Sequence, residues 1–454
     1  MIRLKYAVIF YLCCILLIFF TALQLFLVGF HDVRKSTEKE YVQLDNSVPS
    51  ISLHDVKDPI VLWWTPFTGD LGSVKQCGNK RCFFTQDRRF QNHPLTKAFV
   101  FYGSRFDMFD LPLPRNWEKY SWALFHEESP KNIPAFSHSK ALSLFNITAT
   151  FSRHSHFPLT FQYLKDLDVL TGTKYYLPVE LKDVLLDNLA PVVYVHSDCS
   201  TPLERDTYVA ELMKYIKVDS YGACLQNKKL PEYLSEPITG MDAEDFFHIL
   251  AQYKFTLAFE NAVCEDYITE KLWRTLIVGS VPVYMGSPSV MDWLPNNNSA
   301  ILVENFGSPK ELADYLKEVN RDKKKYEEFL QHKIGPEGQR ITNKKLQEAM
   351  MGREWGIDGD FERMNMVDAF ECFVCENMDK EPPLPPVDIH HYYCPRPVSP
   401  LTKQENKSNF WLEQWYSGRC EAEILRNYID SGVIHFTNDE FNDKMDQMFF
   451  DKIC

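Results

Sequence analysis

Positive charge is scarce in this chain: 49 lysines and arginines stand against 62 aspartates and glutamates, for a net charge of −13. No broad basic field is available to draw in nucleic acid or an anionic membrane surface, so a phosphate-bearing ligand must be held by a few placed cations. The compositional bias of a disordered or fibrous chain is also missing. With 45% hydrophobic and 24% charged residues over 454 positions, the chain has enough apolar material for two core-forming domains plus appendages. Charge is absent altogether from Ala7 to Phe30, a run of 24 residues that as a helix would span roughly 36 Å and cross a bilayer.

Arg3 and Lys5 precede that run and favour leaving the short end, residues 1–6, in the cytoplasm, although Arg34 and Lys35 on the far side reduce the asymmetry. The run exceeds a normal signal-peptide core and lacks a clean small-x-small cleavage site, so residues 7–30 read as a single-pass signal anchor of type II orientation. The remaining mass then lies in the lumen, where disulfides form. Of twelve cysteines, Cys13 and Cys14 fall in the anchor and ten lie beyond it. Cys77 with Cys82 and Cys372 with Cys375 have the spacing of a four-cysteine zinc site, but an oxidising compartment favours two disulfides that clip the two ends of the fold together. Sequons at Asn146, Asn297 and Asn406 agree with a secretory-pathway location. The sequence carries no signal for oligomeric state.

Residues 31–57 are polar without periodicity and read as a stem. From Pro59 onward, short runs rich in β-branched and aromatic residues predict strands at Ile60–Trp64, Lys97–Tyr102 and Trp122–His126, and a helix is expected over Pro158–Val169. A second alternating set begins after Pro191. Strands are predicted at Val192–His196, Val218–Tyr221, Phe255–Phe259 and Val281–Tyr284, with helices at Arg205–Ile216, Ala243–Tyr253 and Thr269–Val278 between them. The fold class is therefore α/β, with two Rossmann-like domains facing a cleft: 58–187, then 188–350. Residues 351–376 return to the first domain, and 377–454 form an extension, free of repeats, in which Cys394, Cys420 and Cys454 could tie a small subdomain. Right-handed βαβ crossovers put ligand-binding residues in the loops at the carboxyl ends of the strands.

One such loop, after Phe255–Phe259, leads into a helix start for which Asp266 or Thr269 is a natural N-cap, creating an anion site from first-turn amides. Lys271 lies in that first turn. A cation there is unfavourable for an isolated helix, so its placement makes better sense with a phosphate nearby.

The segments Ala258-Phe-Glu-Asn261, Asp266-Tyr-Ile-Thr-Glu-Lys271 and Gly279-Ser-Val-Pro-Val-Tyr-Met-Gly286 strongly resemble the signature of the α1,3-fucosyltransferases, glycosyltransferase family 10, and most of all its divergent animal members with a C-terminal extension. The resemblance covers roughly residues 59–376. It implies a GT-B arrangement with acceptor on the first domain and GDP-β-L-fucose on the second, inversion at the anomeric carbon, and no metal. The two Asp-x-Asp matches, Asp166–Asp168 in the expected helix and Asp358–Asp360 near the last helix, end no predicted strand, in keeping with metal independence.

Carried over position by position, the resemblance makes Lys271 and Arg205 the cations for the departing diphosphate, with Ser197, Asn261, Tyr267 and Glu270 as further donor-binding residues. Ser197-Asp-Cys-Ser-Thr-Pro-Leu-Glu-Arg205 looks like the family's strand-loop-helix. Trp122-Ala-Leu-Phe-His-Glu-Glu-Ser-Pro130 resembles the family segment that carries the base, and Glu128 aligns with it; its neighbour Glu127 should point the other way. Where the family has an arginine followed by acidic residues, this chain has Arg153-His154-Ser155-His156, which marks Arg153, His154 and His156 as acceptor-side candidates. Asp198, where an asparagine is usual, could moderate the charge of Arg205. These departures and the extension tilt the expected acceptor towards a Ser/Thr hydroxyl of a folded secretory protein, with residence in the endoplasmic reticulum first and the Golgi second. The alternatives are the GlcNAc of an N-glycan, or a silent binder of GDP-sugar or glycoprotein.

Overall fold

Two sheets organise the chain in the computed structural model, which describes residues 51–236, 240–357, 360 and 362–451. The first contains β1 (Ile60–Trp63), β2 (Ser73–Cys77), β3 (Lys80–Thr85), β4 (Thr96–Tyr102), β5 (Ser121–His126) and β6 (Ile147–Thr150), in the order β2-β3-β1-β4-β5-β6. Only β2 and β3 pair antiparallel, as a hairpin at one edge. The second has β7 (Val192–Val195), β8 (Val218–Tyr221), β9 (Phe255–Phe259), β10 (Val281–Met285) and β11 (Ile301–Leu302) in the order β11-β10-β9-β7-β8, all parallel. The chain is thus α/β with two largely parallel sheets.

Strands buried on both faces read as continuous apolar runs, and β4 shows why. Phe99 and Phe101 pack into one core, with Trp122, Phe136 and Phe145, while Ala98 and Val100 pack into another on the opposite face. The helix Met366–Asn377 covers the second of those faces. The first face is covered by the extension: Ile424, Leu425, Tyr428 and Ile429 of the helix Phe410–Asp430 lie in the same core as Phe101 and Trp122. The helix Phe410–Asp430 of the extension is therefore a structural layer of the first sheet.

The cysteine pairs clip the fold as expected, in the pattern Cys77–Cys372 and Cys82–Cys375, which excludes a zinc-thiolate site there. Cys199–Cys224 and Cys264–Cys394 complete four described bridges. The expectation of a self-contained subdomain is corrected: Cys394 joins the extension to the loop after β9, while Cys420 is also disulfide-bonded and Cys454 lies outside the described residues.

The helix expected over Pro158–Val169 does not form. Its backbone carbonyls are taken by side chains from further along the chain: Arg353 donates to the oxygens of Phe161, Leu164 and Lys165, and Trp355 to that of Pro158. Only a four-residue turn of helix, Asp168–Thr171, remains, and Asp166 caps it by accepting from the Val169 amide. The helix expected to reach Ile216 ends at Leu212. Among the described residues no helix is long and apolar enough to cross a membrane; the expected anchor 7–30, most of the stem and Asp358 lie outside them.

Candidate active site

The polar residues gather at the carboxyl ends of β5, β7 and β9, where crossover geometry places ligand sites in parallel sheets. The end of β9 is the hub. Glu260, fully buried, accepts from the amide of Thr269 at 2.8 Å and from its hydroxyl at 2.7 Å. Gly286 makes room for it, since a Cβ there would lie 2.5 Å from the Glu260 Cγ. Thr269, rather than Asp266, is the N-cap of the helix Glu270–Val278, which buries Leu272, Trp273 and Leu276 and ends on Gly279 at φ +69°. This leaves Glu270 and Lys271 in a half-buried first turn beside the β9 loop.

Lys271 Nζ lies 3.0 Å from Glu270 Oε1, 3.1 Å from Thr269 Oγ1 and 3.8 Å from Glu260 Oε2. Burial alone would raise the Glu270 carboxyl, but Lys271 and Arg274 bring it down to about 2. Glu260 goes the other way: burial pushes it up to about 7 against the pull of Lys271. Arg205, at the start of the helix Arg205–Leu212 and 1% exposed, donates to the oxygens of Phe259 (3.1 Å), Asp198 (2.8 Å) and the Asn261 side chain (2.7 Å). All three are neutral acceptors. Asp198 does not moderate this charge through its carboxylate, which pairs instead with Lys131. Arg205, Lys271 and Arg274 all bear on the buried imidazole of His196 at the end of β7; burial first, then these cations, hold its pKa well below the ordinary value. Ser197 follows it, exposed.

Across from this cluster, Glu128 follows β5. Burial raises its pKa above the ordinary carboxylate value, Lys271 pulls it back and Glu270 pushes it up, so its carboxylate shares a field with the helix-start residues. The Tyr267 hydroxyl lies 3.5 Å from Glu128 Oε2. Glu127 turns to Tyr102, whose hydroxyl donates to it at 2.8 Å, and burial pushes its pKa up to about 7. Tyr163 sits among all four acids: burial, then Glu270, Glu128, Glu127 and Glu260, raise its phenol well above the usual range. Among the described residues no group of three or more His, Cys, Asp or Glu is arranged to hold a metal ion.

The structure thus brings Glu128, Arg205, Asn261, Tyr267, Glu270 and Lys271 to one end of the two sheets. Arg153 is engaged within the protein. Its guanidinium pairs with Asp266 (Nη2 to Oδ1 2.5 Å) and Asp292 (2.7 Å) and lies over Trp293, so it joins the loop after β6 to the loops after β9 and β10. Asp266 sits in the left-handed region at φ +63°, further tied to Ser289 and the Trp293 indole. His156 is likewise occupied, accepting from the Thr148 amide through Nδ1 and contacting the Pro385 oxygen at 2.8 Å through Nε2; burial lowers its pKa. His154 stays exposed, beside His390.

Sequence reasoning missed Arg274, His196, Glu260 and Tyr163. Arg274 was legible as the position one turn beyond Glu270 and Lys271 on the same helix. It also missed a cavity of about 250 Å³ that starts two residues beyond Glu128. Pro130, Pro134, Pro202, Leu203, Trp411 and Trp415 are among its lining residues, so the extension forms one wall. Of the sequons, Asn146 accepts from Arg115 and from the Trp122 amide, and the Asn406 amide donates to Glu204 at 2.5 Å, whereas Asn297 is exposed.

Comparison with known proteins accords with this arrangement. The family profile described as glycosyltransferase family 10 (fucosyltransferase) C-term matches residues 187–381, and that described as fucosyltransferase, N-terminal, matches 56–162. The chain is 48% identical to mouse GDP-fucose protein O-fucosyltransferase 3 over 400 residues, covering 84% of this chain and 82% of the relative. It is 50% identical to the bovine protein of that name over 397 residues, covering 84% and 82%. A crystal structure of an α1,3-fucosyltransferase with GDP is similar at 17% identity and a TM-score of 0.40, covering 74% of this chain and 94% of that one. The chain therefore belongs to glycosyltransferase family 10, the fucosyltransferases.

Proposed function

We propose that this protein moves L-fucose from GDP-β-L-fucose, with inversion and without a metal, to a Ser or Thr hydroxyl of a folded secretory-pathway protein. The observation that carries the reading is a half-buried carboxylate, Glu128, in the field of Lys271, which itself joins Arg205 and Arg274 in acting on the buried His196 at the ends of the two sheets. The acceptor oxygen attacks the anomeric carbon as Glu128 takes its proton; the bond from that carbon to the phosphate oxygen breaks, and GDP leaves with the electron pair. Lys271, Arg205, Arg274 and the first-turn amides of Glu270–Val278 stabilise the charge on the diphosphate, the task that a metal performs elsewhere. A carboxylate base needs a raised pKa to work near neutrality, and burial supplies it.

Two observations favour a protein acceptor. The relatives at 48–50% identity carry the name of protein O-fucosyltransferases, and the cavity that Pro130 and Ala262 help to line is walled largely by prolines and tryptophans, which suit apolar side chains of a polypeptide better than the hydroxyls of a glycan. Transfer to the GlcNAc of an N-glycan is the second reading, weakened because Arg153 and His156 are engaged within the protein. A silent GDP-sugar binder would have no chemical reason to keep a half-buried carboxylate in the field of Lys271. In this reading the sheets belong to GT-B-type domains, 58–187 for the acceptor and 188–350 for the donor. The protein is held by residues 7–30 in the endoplasmic reticulum membrane first, or the Golgi second; four disulfides support an oxidising lumen.

The test is transfer of label from GDP-fucose by the lumenal part to folded secretory protein domains and, in parallel, to an agalacto N-glycan, with and without EDTA. Label on protein that resists EDTA is expected. Label on the glycan alone would move the second reading to first place, loss with EDTA would overturn metal independence, and no label despite GDP binding would favour the silent binder.

A further inference from the structure

We infer that the C-terminal extension crosses the active-site cleft as a strap and that Tyr392, at its centre, is a positioning residue for Glu128; this rests on Glu128 being the base. From residue 382 onward the extension lies beyond the residues matched by the family profiles, which end at 381. Residues 390–394 nevertheless bond to both sheets. On the first, the hydroxyls of Thr150 and Ser152 donate to the oxygens of His391 (2.5 Å) and His390 (2.6 Å), and Thr148 Oγ1 lies 2.7 Å from His391 Nδ1. On the second, the Glu265 amide donates to the Tyr393 oxygen at 3.0 Å, and the next residue forms the Cys264–Cys394 bridge, three residues beyond Asn261.

Between these anchors the Tyr392 side chain, fully buried, reaches the base loop. Its hydroxyl donates to the backbone oxygen of Glu128 at 2.6 Å and lies 3.1 Å from His126 Nε2, with its ring stacked on that imidazole and packed on Phe151. A hydroxyl has one proton, and the shorter contact takes it. His126 Nε2 must then carry a hydrogen and donate to the tyrosine oxygen. The other ring nitrogen, Nδ1, is buried without a partner, as suits a bare acceptor better than an orphaned N–H. Burial drives the imidazole pKa down to about 3, so the ring stays neutral and the relay His126 → Tyr392 → Glu128 carbonyl keeps one direction across the working pH range. Gly103 leaves room for the ring: a Cβ there would sit 2.3 Å from His126 Cγ.

The strap thus fixes the peptide from which the Glu128 side chain projects towards Tyr267 and Lys271. Misplacing a reacting group by about 1 Å costs on the order of 10²-fold in rate, so a lost anchor should show in turnover rather than in donor binding.

The experiment compares wild type, Tyr392→Phe and Glu128→Gln, each counted by GDP-binding stoichiometry so that kcat is expressed per competent site. Tyr392→Phe keeps the ring packing and deletes only the hydroxyl. The expected result is a kcat lower by roughly tenfold or more, with KM for GDP-fucose within about threefold of wild type and full GDP stoichiometry. An unchanged kcat, or an activity loss matched by loss of GDP-binding sites, would overturn the positioning role. Full activity in Glu128→Gln would instead remove the base itself, and this inference with it.

Discussion

Glu128→Gln separates proton transfer from donor binding, and the surroundings of the side chain set both expected magnitudes. Glutamine keeps the size of the side chain and an oxygen for the Tyr267 hydroxyl, 3.5 Å away, so packing is preserved while the ability to accept a proton is lost. General-base catalysis contributes about 10²–10⁴-fold, and the expected fall in kcat is therefore at least ~10²-fold, or about 2.7 kcal/mol in barrier. GDP affinity should hold or improve by a few-fold, because the substitution removes a carboxylate that shares the field of Lys271 with the diphosphate. The pH dependence has a definite sign. A base whose pKa is raised by burial is lost to protonation at a pH above the ordinary carboxylate range, so wild-type kcat/KM should fall on the acid side of neutrality and the variant's should be flat there. Glu127→Gln is the control: its carboxylate is directed at Tyr102, and turnover should stay within about tenfold of wild type. The assay is single-turnover transfer from labelled GDP-fucose across pH, with calorimetric GDP binding on the same preparations. If Glu128→Gln keeps more than a tenth of wild-type turnover, if GDP binding collapses with it, or if Glu127→Gln is the inactive variant, the assignment fails.

Lys271→Ala should weaken GDP binding roughly 10- to 100-fold, the worth of one or two charge-assisted hydrogen bonds, and should also lower Tm, since it leaves the Glu270 and Glu260 carboxyls without their neighbouring cation; calorimetry and thermal melts check the two halves. Asp266→Asn should cost about 3 kcal/mol by leaving Arg153 without its buried partner, read by denaturant unfolding. Arg153 holds the Asp266 carboxyl below its ordinary value against the effect of burial, so its contribution is present above the unfolded-state pKa and is lost as pH falls through the lower folded-state value; the gap between wild type and variant should close in acid. Asn297→Gln should increase gel mobility of the secreted lumenal part by one glycan, while Asn146→Gln and Asn406→Gln leave it unchanged, because those two carboxamides are engaged in the fold.

What could be read from the sequence was local. Strands β1, β4, β5, β7, β9 and β10 announce themselves as apolar runs because both faces of each sheet are covered, and Thr269 to Lys271 reads as a capped helix start because capping is decided within a few residues. What escaped depends on distant partners. The ion pair of Arg153 joins it to Asp266, 113 positions away, so nothing near either residue announces it. Pro158–Val169 has helical periodicity, yet Arg353, at a separation of 192 from Phe161, claims the carbonyls a helix would use. Tyr392 is 264 residues from the carbonyl it holds, and nothing in its own neighbourhood signals that contact. The paired charges around Glu270 follow the same logic: Lys271 is adjacent, but the acid's burial and the approach of Glu128 come from tertiary packing.

The central claim, fucose placed on a hydroxyl of a folded protein, is tested most directly by locating the sugar on the product. A folded secretory domain is incubated with the lumenal part and GDP-fucose, stripped of N-glycans enzymatically, and fragmented in a mass spectrometer under conditions that keep labile sugars attached. A deoxyhexose on a serine or threonine, lost when Glu128→Gln replaces the wild type, is the expected result. A deoxyhexose found only on the released N-glycan, or the same product from Glu128→Gln, would contradict the account.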